Sequence, residues 1–570
     1  MLSLSRWFPF LAWPRPSREL LQGELWAGMT VGLMLLPQGV AYAALAGMPL
    51  VTGIYASLVP ALVAVLWSAS PRLGVGPTAL TSLLIGTSLL GLAEPGSAHW
   101  VGLAVWIALL SGLLQWSLGA LRAGWLLNLV TSPVLNGFTQ AAALLILASQ
   151  LPALLGLRTT WNAVFSAPSV HHFDLRAAAI GLGSVALLMA FKRWRSGFPS
   201  AIVVASLAGV LSWATGFADS GGSVIGNLPA GLPMLHWPGW LSGDEFSALI
   251  MPVLVISLVS FLETASSAQV EHRLAGTRWN ENQDLIAQGM AKVTAGLFGS
   301  FATSASFSRS AVNLMAGART GWATIFAVGL VFLVLLWLTP ALYHVPQSAL
   351  AAIVVTAVLN LIKPQTMFSL WRISRTEACI GLSTFALTLA TAPRLYWGVL
   401  AGIVMGLCHF LYQRLHPRII EVGLHPDGSL RDRHLWQLNH WADGVVVLRM
   451  DAELDFASAS ALERRIADHL AEHPEVRHLC LLAQPINRVD VTGVETFVRV
   501  RALLRQRGGT LHLSGLKLPV EDCLRRARAL DAGPDLVLYR TDAEALAALR
   551  ELCAASVTPL NPAHPGADTL

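Results

Sequence analysis

Along the first 420 residues polar positions are sparse, and apolar runs recur with the length that crosses a bilayer, roughly 20 residues at 1.5 Å rise each. Runs over 101–119, 177–191, 246–262, 323–339 and 379–392 are examples. Two shorter stretches, 78–93 and 303–317, follow breakers and small residues: Gly74, Gly76 and Pro77 before the first, Gly296 and Gly299 before the second. Each predicts a half-helix that starts inside the membrane. Irregular backbone at that depth survives only where it is buried in protein or lines a cavity, and paired broken segments in matching halves mark a transporter's binding site. Hydropathy gives about eleven to fourteen segments. With both short ones counted they stand about third and tenth of fourteen, where an inverted seven-plus-seven repeat puts them.

From about residue 432 the period changes to that of a soluble α/β domain. VVVLRM (445–450), HLCLLA (478–483), LHLSGL and LVLYR predict strands, while ALERRIADHL (461–470), GVETFVRVRALLRQRG (493–508) and TDAEALAALRELCA predict helices. The expected organisation is a cytoplasmic lead over 1–20, a transmembrane domain over 21–418, a linker over 419–440, the α/β domain over 441–553 and a disordered tail over 554–570, rich in Ala, Pro and Thr. Pro14 and Pro16 interrupt the opening segment, which reads as a lead and not as a cleaved signal.

Composition agrees with a membrane chain. Hydrophobic residues make up 54% and charged ones 12%, with a mean hydropathy of +0.58, against roughly 25% charged in a soluble domain. A net charge of +5 and a pI near 9.1 would suit nucleic acid, but the positive charge collects in every second loop, as membrane topology requires. Arg6, Arg15 and Arg18, then Arg72, Arg122, Lys192 with Arg193 and Arg195, Arg273 with Arg278, Arg319, Lys363 with Arg372 and Arg375, and Arg414 with Arg418 fall on one side. The intervening loops hold Glu94, His99, Asp219, Asp244, Glu245 and His344; Arg158, Arg176 and Arg394 are exceptions. This orients a multi-pass protein of the cytoplasmic (inner) membrane with both termini in the cytoplasm and no nucleic-acid partner. Cys379, Cys408, Cys480, Cys523 and Cys553 lack paired spacing, and His171–His172 lacks metal spacing. No nucleotide loop or catalytic triad is present, so neither an enzyme nor a resident cofactor is expected.

Three constellations carry chemistry. In LPQGVAYAALAG (36–47), Pro37 bends an apolar helix and frees a carbonyl, while Gln38 and Tyr42, four apart, share a face. They line a cavity or bond to neighbouring helices. In GSFATSASFSRSAVN (299–313), Thr303, Ser304, Ser306 and Ser308 precede Arg309 at the start of a short helix. Free N–H groups, the positive helix end and a guanidinium together favour an anion, whereas the hydroxyls singly also suit close helix packing. Glu263 follows a stretch without charge from Phe246 to Leu262, and a carboxylate at such depth is functional by default. Desolvation and a nearby Arg309 pull its protonation in opposite directions, so occupancy of the site can tip it; the alternative is a permanent Glu–Arg pair.

Taken in order, LPQGVAYAALAGMPLVTGIYASLVPALV, LGVGPTALTSLLIG, FLETASSAQ, WNENQDLIAQGMAKVTAGLFGSFATSASFSRSAVN and the terminal α/β domain resemble the sulfate permease family, whose animal members form the solute carrier 26 group. The resemblance covers roughly residues 20 to 550. It implies an α-helical polytopic membrane protein of fourteen segments in two inverted repeats, a core domain sliding against a gate domain in elevator-type alternating access, a C-terminal STAS domain and a homodimer. It implies substrate contacts at Gln38, Tyr42, Thr78, Ser308 and Arg309, and cation coupling at Glu263. Ala302, Thr303 and Ser304 depart from the family's Pro-Val-Thr or Pro-Val-Ser. RVDVTG (488–493) is similar to the phosphorylated loop of anti-sigma antagonists, with Val491 at one hydroxyl position; Thr492 is the remaining phosphate acceptor, or the loop is structural.

Two half-helix N-termini, at about half a charge each, and Arg309 offset a divalent anion, and sulfate fits that sum. Protonation of Glu263 restores positive potential, a route to proton symport. Sodium-coupled transport of bicarbonate or a dicarboxylate, and uncoupled exchange or channel conduction, are the alternatives; a nucleobase permease and a membrane sensor are rivals from other classes. Cytoplasmic regulators acting through the STAS domain are the further partners expected.

Overall fold

A computed structural model describes residues 8–157, 174–194, 199–229 and 231–556. Arg6, Arg158, His171, His172, Arg195 and the tail beyond 556 lie outside them. The chain divides into two compact units, Met1–Gly406 and Leu407–Leu570.

The first unit is helical. In order it holds α1 (Arg18–Leu45), α2 (Leu50–Tyr55), α3 (Val59–Trp67), strand β1 (Val75–Gly76), α4 (Ala79–Leu89), α5 (Ala98–Ala120), α6 (Ser132–Leu154), α7 (Leu175–Trp194), α8 (Ser200–Ala214), α9 (Gly243–Ala275) and α10 (Glu281–Leu297). Strand β2 (Ser304–Ala305), α11 (Phe307–Met315), α12 (Trp322–Leu333), α13 (Gln347–Val358), α14 (Pro364–Ile373), α15 (Arg375–Ala390) and α16 (Tyr396–Leu415) follow, the last continuing into the second unit. Among the described residues nine helices are long and apolar enough to cross a membrane, and Ala79–Leu89 and Ser200–Ala214 are shorter apolar ones. Length and composition therefore do not return fourteen segments by themselves: α10 and α11 are amphipathic, with buried charges that lower their hydropathy. Exposed Leu182, Leu207, Val210 and Leu254 give the unit an apolar outer surface.

Hydroxyl caps start several of these helices. Ser17 Oγ accepts from Leu20 N at the head of α1, Ser97 from Trp100 N at α5, and Ser242 forms a capping box with Glu245 at α9. Small residues let the backbones meet. A Cβ on Gly28 of α1 would stand 2.4 Å from Ala323 O of α12, and one on Gly289 of α10 would stand 2.5 Å from Trp116 N of α5.

Buried Glu24 holds the start of α12. Its Oε1 accepts from Arg319 N and Thr320 N, both at 2.8 Å, and its Oε2 from Ala323 N at 2.9 Å. Ala323 N is one of the orphan donors of the helix start, and Arg319 N and Thr320 N belong to the turn that leads into it. Glu24→Ala is expected to cost about 2 kcal/mol and to lower the thermal midpoint of the detergent-solubilised protein; an unchanged midpoint would show that water replaces the carboxylate without loss.

The second unit is an α/β sandwich. Strands β3 (Ile419–Leu424), β4 (Leu430–Asp432), β5 (Val445–Met450), β6 (His478–Leu482), β7 (Thr510–Ser514) and β8 (Leu536–Tyr539) form one sheet in the order β4-β3-β5-β6-β7-β8. From β5 to β8 neighbours are parallel, in the register Val446↔Leu479, Leu479↔Leu511 and Leu511↔Leu536. Crossover helices α17 (Ala459–Glu472), α18 (Val491–Gln506) and α19 (Leu518–Arg526) bury Leu462, Ile466, Phe497, Val500 and Leu524 on one face of the sheet, and α20 (Asp542–Ser556) covers the other through Ala545, Leu546 and Leu549.

One expectation changes here. Residues 419–440, expected as a linker, contain β3 and β4, with β3 antiparallel to β5. Glu421 interrupts the apolar run IIEVGL and hides the strand from pattern reading; in the fold it is buried and ion-paired to Arg433 at 2.8 Å. The RVDVTG segment starts a helix: Asp490 caps α18 by accepting from Gly493 N at 2.8 Å and also accepts from Phe456 N at 2.9 Å, and Thr492 lies in the first helical turn.

Candidate functional site

Each half-helix is launched by a two-residue strand, and the two strands pair. Val75 lies opposite Ala305 and Gly76 opposite Ser304, antiparallel. The ladder is locked at its sides by Ser306 N donating to Gly74 O at 2.9 Å and Gly74 N donating to Ser310 Oγ at 3.0 Å. Helices α4 and α11 leave from this short ladder, so two positive helix ends converge on one buried place. Thr78 caps α4 through Thr81 N and Ser306 caps α11 through Arg309 N.

Arg309 sits in the first turn of α11 and is fully buried. Its Nη1 donates to Pro77 O at 2.9 Å and lies 3.4 Å from Gln38 Oε1. Its Nε and Nη2 have no partner among the described residues. Close approach of β1 requires a missing side chain, because a Cβ on Gly74 would stand 2.7 Å from Arg309 Cβ. A buried guanidinium with two unspent donors is costly to leave so, and it is ready to take an acceptor with negative charge.

Glu263, on α9, faces the cap of α4. Thr78 Oγ1 donates to its Oε2 at 3.0 Å and Thr81 Oγ1 lies 3.4 Å from the same oxygen. No ion pair joins Glu263 to Arg309 among the described residues, so the permanent Glu–Arg pair is not what this structure contains. Tyr42, buried one turn after Gln38, is within electrostatic reach of both.

The fold thus brings Gln38, Tyr42, Thr78, Glu263 and Arg309 to one place. The serines divide. Ser304 is buried and its hydroxyl donates to Ser260 O at 2.9 Å, which ties β2 to α9. Ser306 caps α11 and pairs with Ser308 at 3.1 Å, and Ser308 is exposed. Thr303 is buried, and its hydroxyl has no partner among the described residues.

Two buried charges of this region were not singled out from sequence. Asp284 accepts from Ser68 Oγ and Ser70 Oγ, both at 2.6 Å, from Trp279 Nε1 at 2.7 Å and from Ala69 N at 2.8 Å, fastening α10 to the turn before β1. Lys292, fully buried on α10, donates to Gln115 Oε1 at 2.6 Å and to Ser260 Oγ at 2.5 Å. The signal for Lys292 was present in AQGMAKVTAGLFG, a single cation in an apolar run with no acidic residue one turn away.

Comparison with known proteins gives the family of each unit. The sulfate permease family matches residues 21–384, and the STAS domain matches residues 440–545. A Mycobacterium tuberculosis protein named as a probable sulfate transporter is 31% identical over 540 residues, covering 94% of this chain and 96% of its own. The chloroplastic sulfate transporter 4.1 of Arabidopsis thaliana is 30% identical, over 86% and 74% of the two chains. Murine solute carrier 26 family member A9, an anion transporter solved in its inward-facing state, shares the fold with a TM-score of 0.85 at 19% identity, over 96% of this chain and 94% of that one.

Proposed function

This chain belongs to the sulfate permease family, and from that premise we propose that it is a secondary active transporter of a small inorganic oxyanion, with sulfate carried by proton symport. The observation that supports this most is the buried Arg309, whose Nε and Nη2 are unspent where two half-helix N-termini converge. A tetrahedral oxyanion offers acceptors to both donors and to the helix ends, without competing with the Pro77 carbonyl for Nη1. Gln38, Tyr42 and Thr78 complete the wall, with Ser306 and Ser308 at the mouth of α11.

Glu263 supplies the coupling. Ionised, it subtracts one charge from the field that holds the anion; protonated, it restores it and still accepts from Thr78 through its carbonyl oxygen. Proton and anion then bind with mutual benefit. Elevator-type movement of the helices that carry the site against the remaining helices would present it to either side in turn. A homodimer in the cytoplasmic membrane, both termini in the cytoplasm and regulators acting through the STAS domain complete the proposal. The test is labelled-sulfate uptake into proteoliposomes under inward proton or sodium gradients: acceleration by the proton gradient is expected, and acceleration by sodium alone would reassign the coupling ion.

A further inference from the structure

The buried charge of Lys292 has no part in the coupling between Glu263 and Arg309 described above. Lys292 is among the largest fully buried side chains, and among the described residues no carboxylate lies within ion-pair distance of its Nζ. Its two partners, Gln115 Oε1 and Ser260 Oγ, are neutral. Gln115 is oriented for this purpose: its Nε2 donates to Ser257 O at 2.6 Å and lies 3.0 Å from Ser260 Oγ, which turns Oε1 toward the lysine. Neutral acceptors satisfy N–H groups but do not neutralise a charge, and an uncompensated charge at this depth is expensive.

What compensates it lies next door. Ser260 precedes Glu263 by three residues, one turn of α9, and its carbonyl accepts from Ser304 Oγ of β2, the strand that launches α11 and Arg309. Lys292 and Glu263 are within electrostatic reach of each other, and Arg309 is the other cation acting on Glu263. Counting whole charges, Arg309 and Lys292 against an ionised Glu263 leave one positive charge; against a protonated Glu263 they leave two. The second state holds one more positive charge for the anion, and Lys292 contributes to both.

We propose that Lys292 is a positioning charge of the anion site, acting through its field and without contact, and that it sets the preference for doubly over singly charged oxyanions. This rests on the transport reading above. Arg309 gives every oxyanion its hydrogen bonds; Lys292 adds attraction in proportion to the anion's charge.

The experiment titrates purified full-length protein with sulfate or nitrate and reads apparent affinity from the shift in thermal midpoint. For Lys292→Met the sulfate affinity is expected to fall roughly tenfold or more, with nitrate changed by no more than about threefold. Lys292→Arg should restore most of the difference. Lys292→Gln, which can keep both hydrogen bonds, is the second neutral variant and carries the test if Lys292→Met does not fold. Equal shifts for the two anions, or none, in a folded neutral variant would overturn the assignment while leaving transport intact. Failure of sulfate to stabilise the unmutated protein would overturn the transport reading and this inference with it.

Discussion

Replacing Arg309 with glutamine is expected to reduce labelled-sulfate uptake by a hundredfold or more, on the order of 3 kcal/mol, since charge-assisted hydrogen bonds contribute about 1.5–3 kcal/mol each and two are removed with the charge. The variant keeps one amide donor for Pro77 O, so the ladder of β1 and β2 should survive, and an unchanged thermal midpoint distinguishes lost binding from lost fold. Arg309→Lys keeps the charge but not the planar fork that serves Pro77 O and the anion at once. It should fall between the two. Uptake by Arg309→Gln at the unmutated rate would mean that the anion does not bind there.

The second large effect is expected at Glu263. In Glu263→Gln the amide can still accept from Thr78 Oγ1, so the cap of α4 is preserved. The site then behaves as if permanently protonated: anion affinity stays at or above that of the unmutated protein, and acceleration by an inward proton gradient disappears. Uptake that still rises with the gradient would remove Glu263 from the coupling step and leave the anion site standing.

The larger features of the fold were written locally. Apolar runs at 101–119 and 177–191 match α5 (98–120) and α7 (175–194), because a bilayer-crossing helix must satisfy every backbone group within its own segment. Breakers ahead of 78–93 and 303–317 marked the half-helices, which the structure shortens to 79–89 and 307–315. Strands β5 to β8 followed from short apolar runs, but β3 and β4 did not: Glu421 sits in β3 under the guanidinium of Arg433, and β4 is three residues long.

What stayed hidden was non-local. Pairing of Gly76 with Ser304 joins segments far apart in the chain and has no period to announce it. Gln38, Tyr42, Glu263 and Arg309 were legible because polar groups in apolar helices are conspicuous, whereas Thr78 was implied by the family resemblance alone. The serines were legible as a cluster but not in their tasks, since their partners, Ser260 O for Ser304 and Arg309 N for Ser306, depend on how the helices meet. Lys292 stands in an apolar run, but its partners Gln115 and Ser260 lie on α5 and α9 and are not visible from the run itself.

The account turns on where the anion sits. Anomalous scattering from selenate bound to the full-length protein reads that position directly. The predicted result is a selenium peak within about 4 Å of Arg309 Nη2, between the starts of α4 and α11, that is lost in Arg309→Gln. A peak elsewhere, or one that persists in the variant, would contradict it.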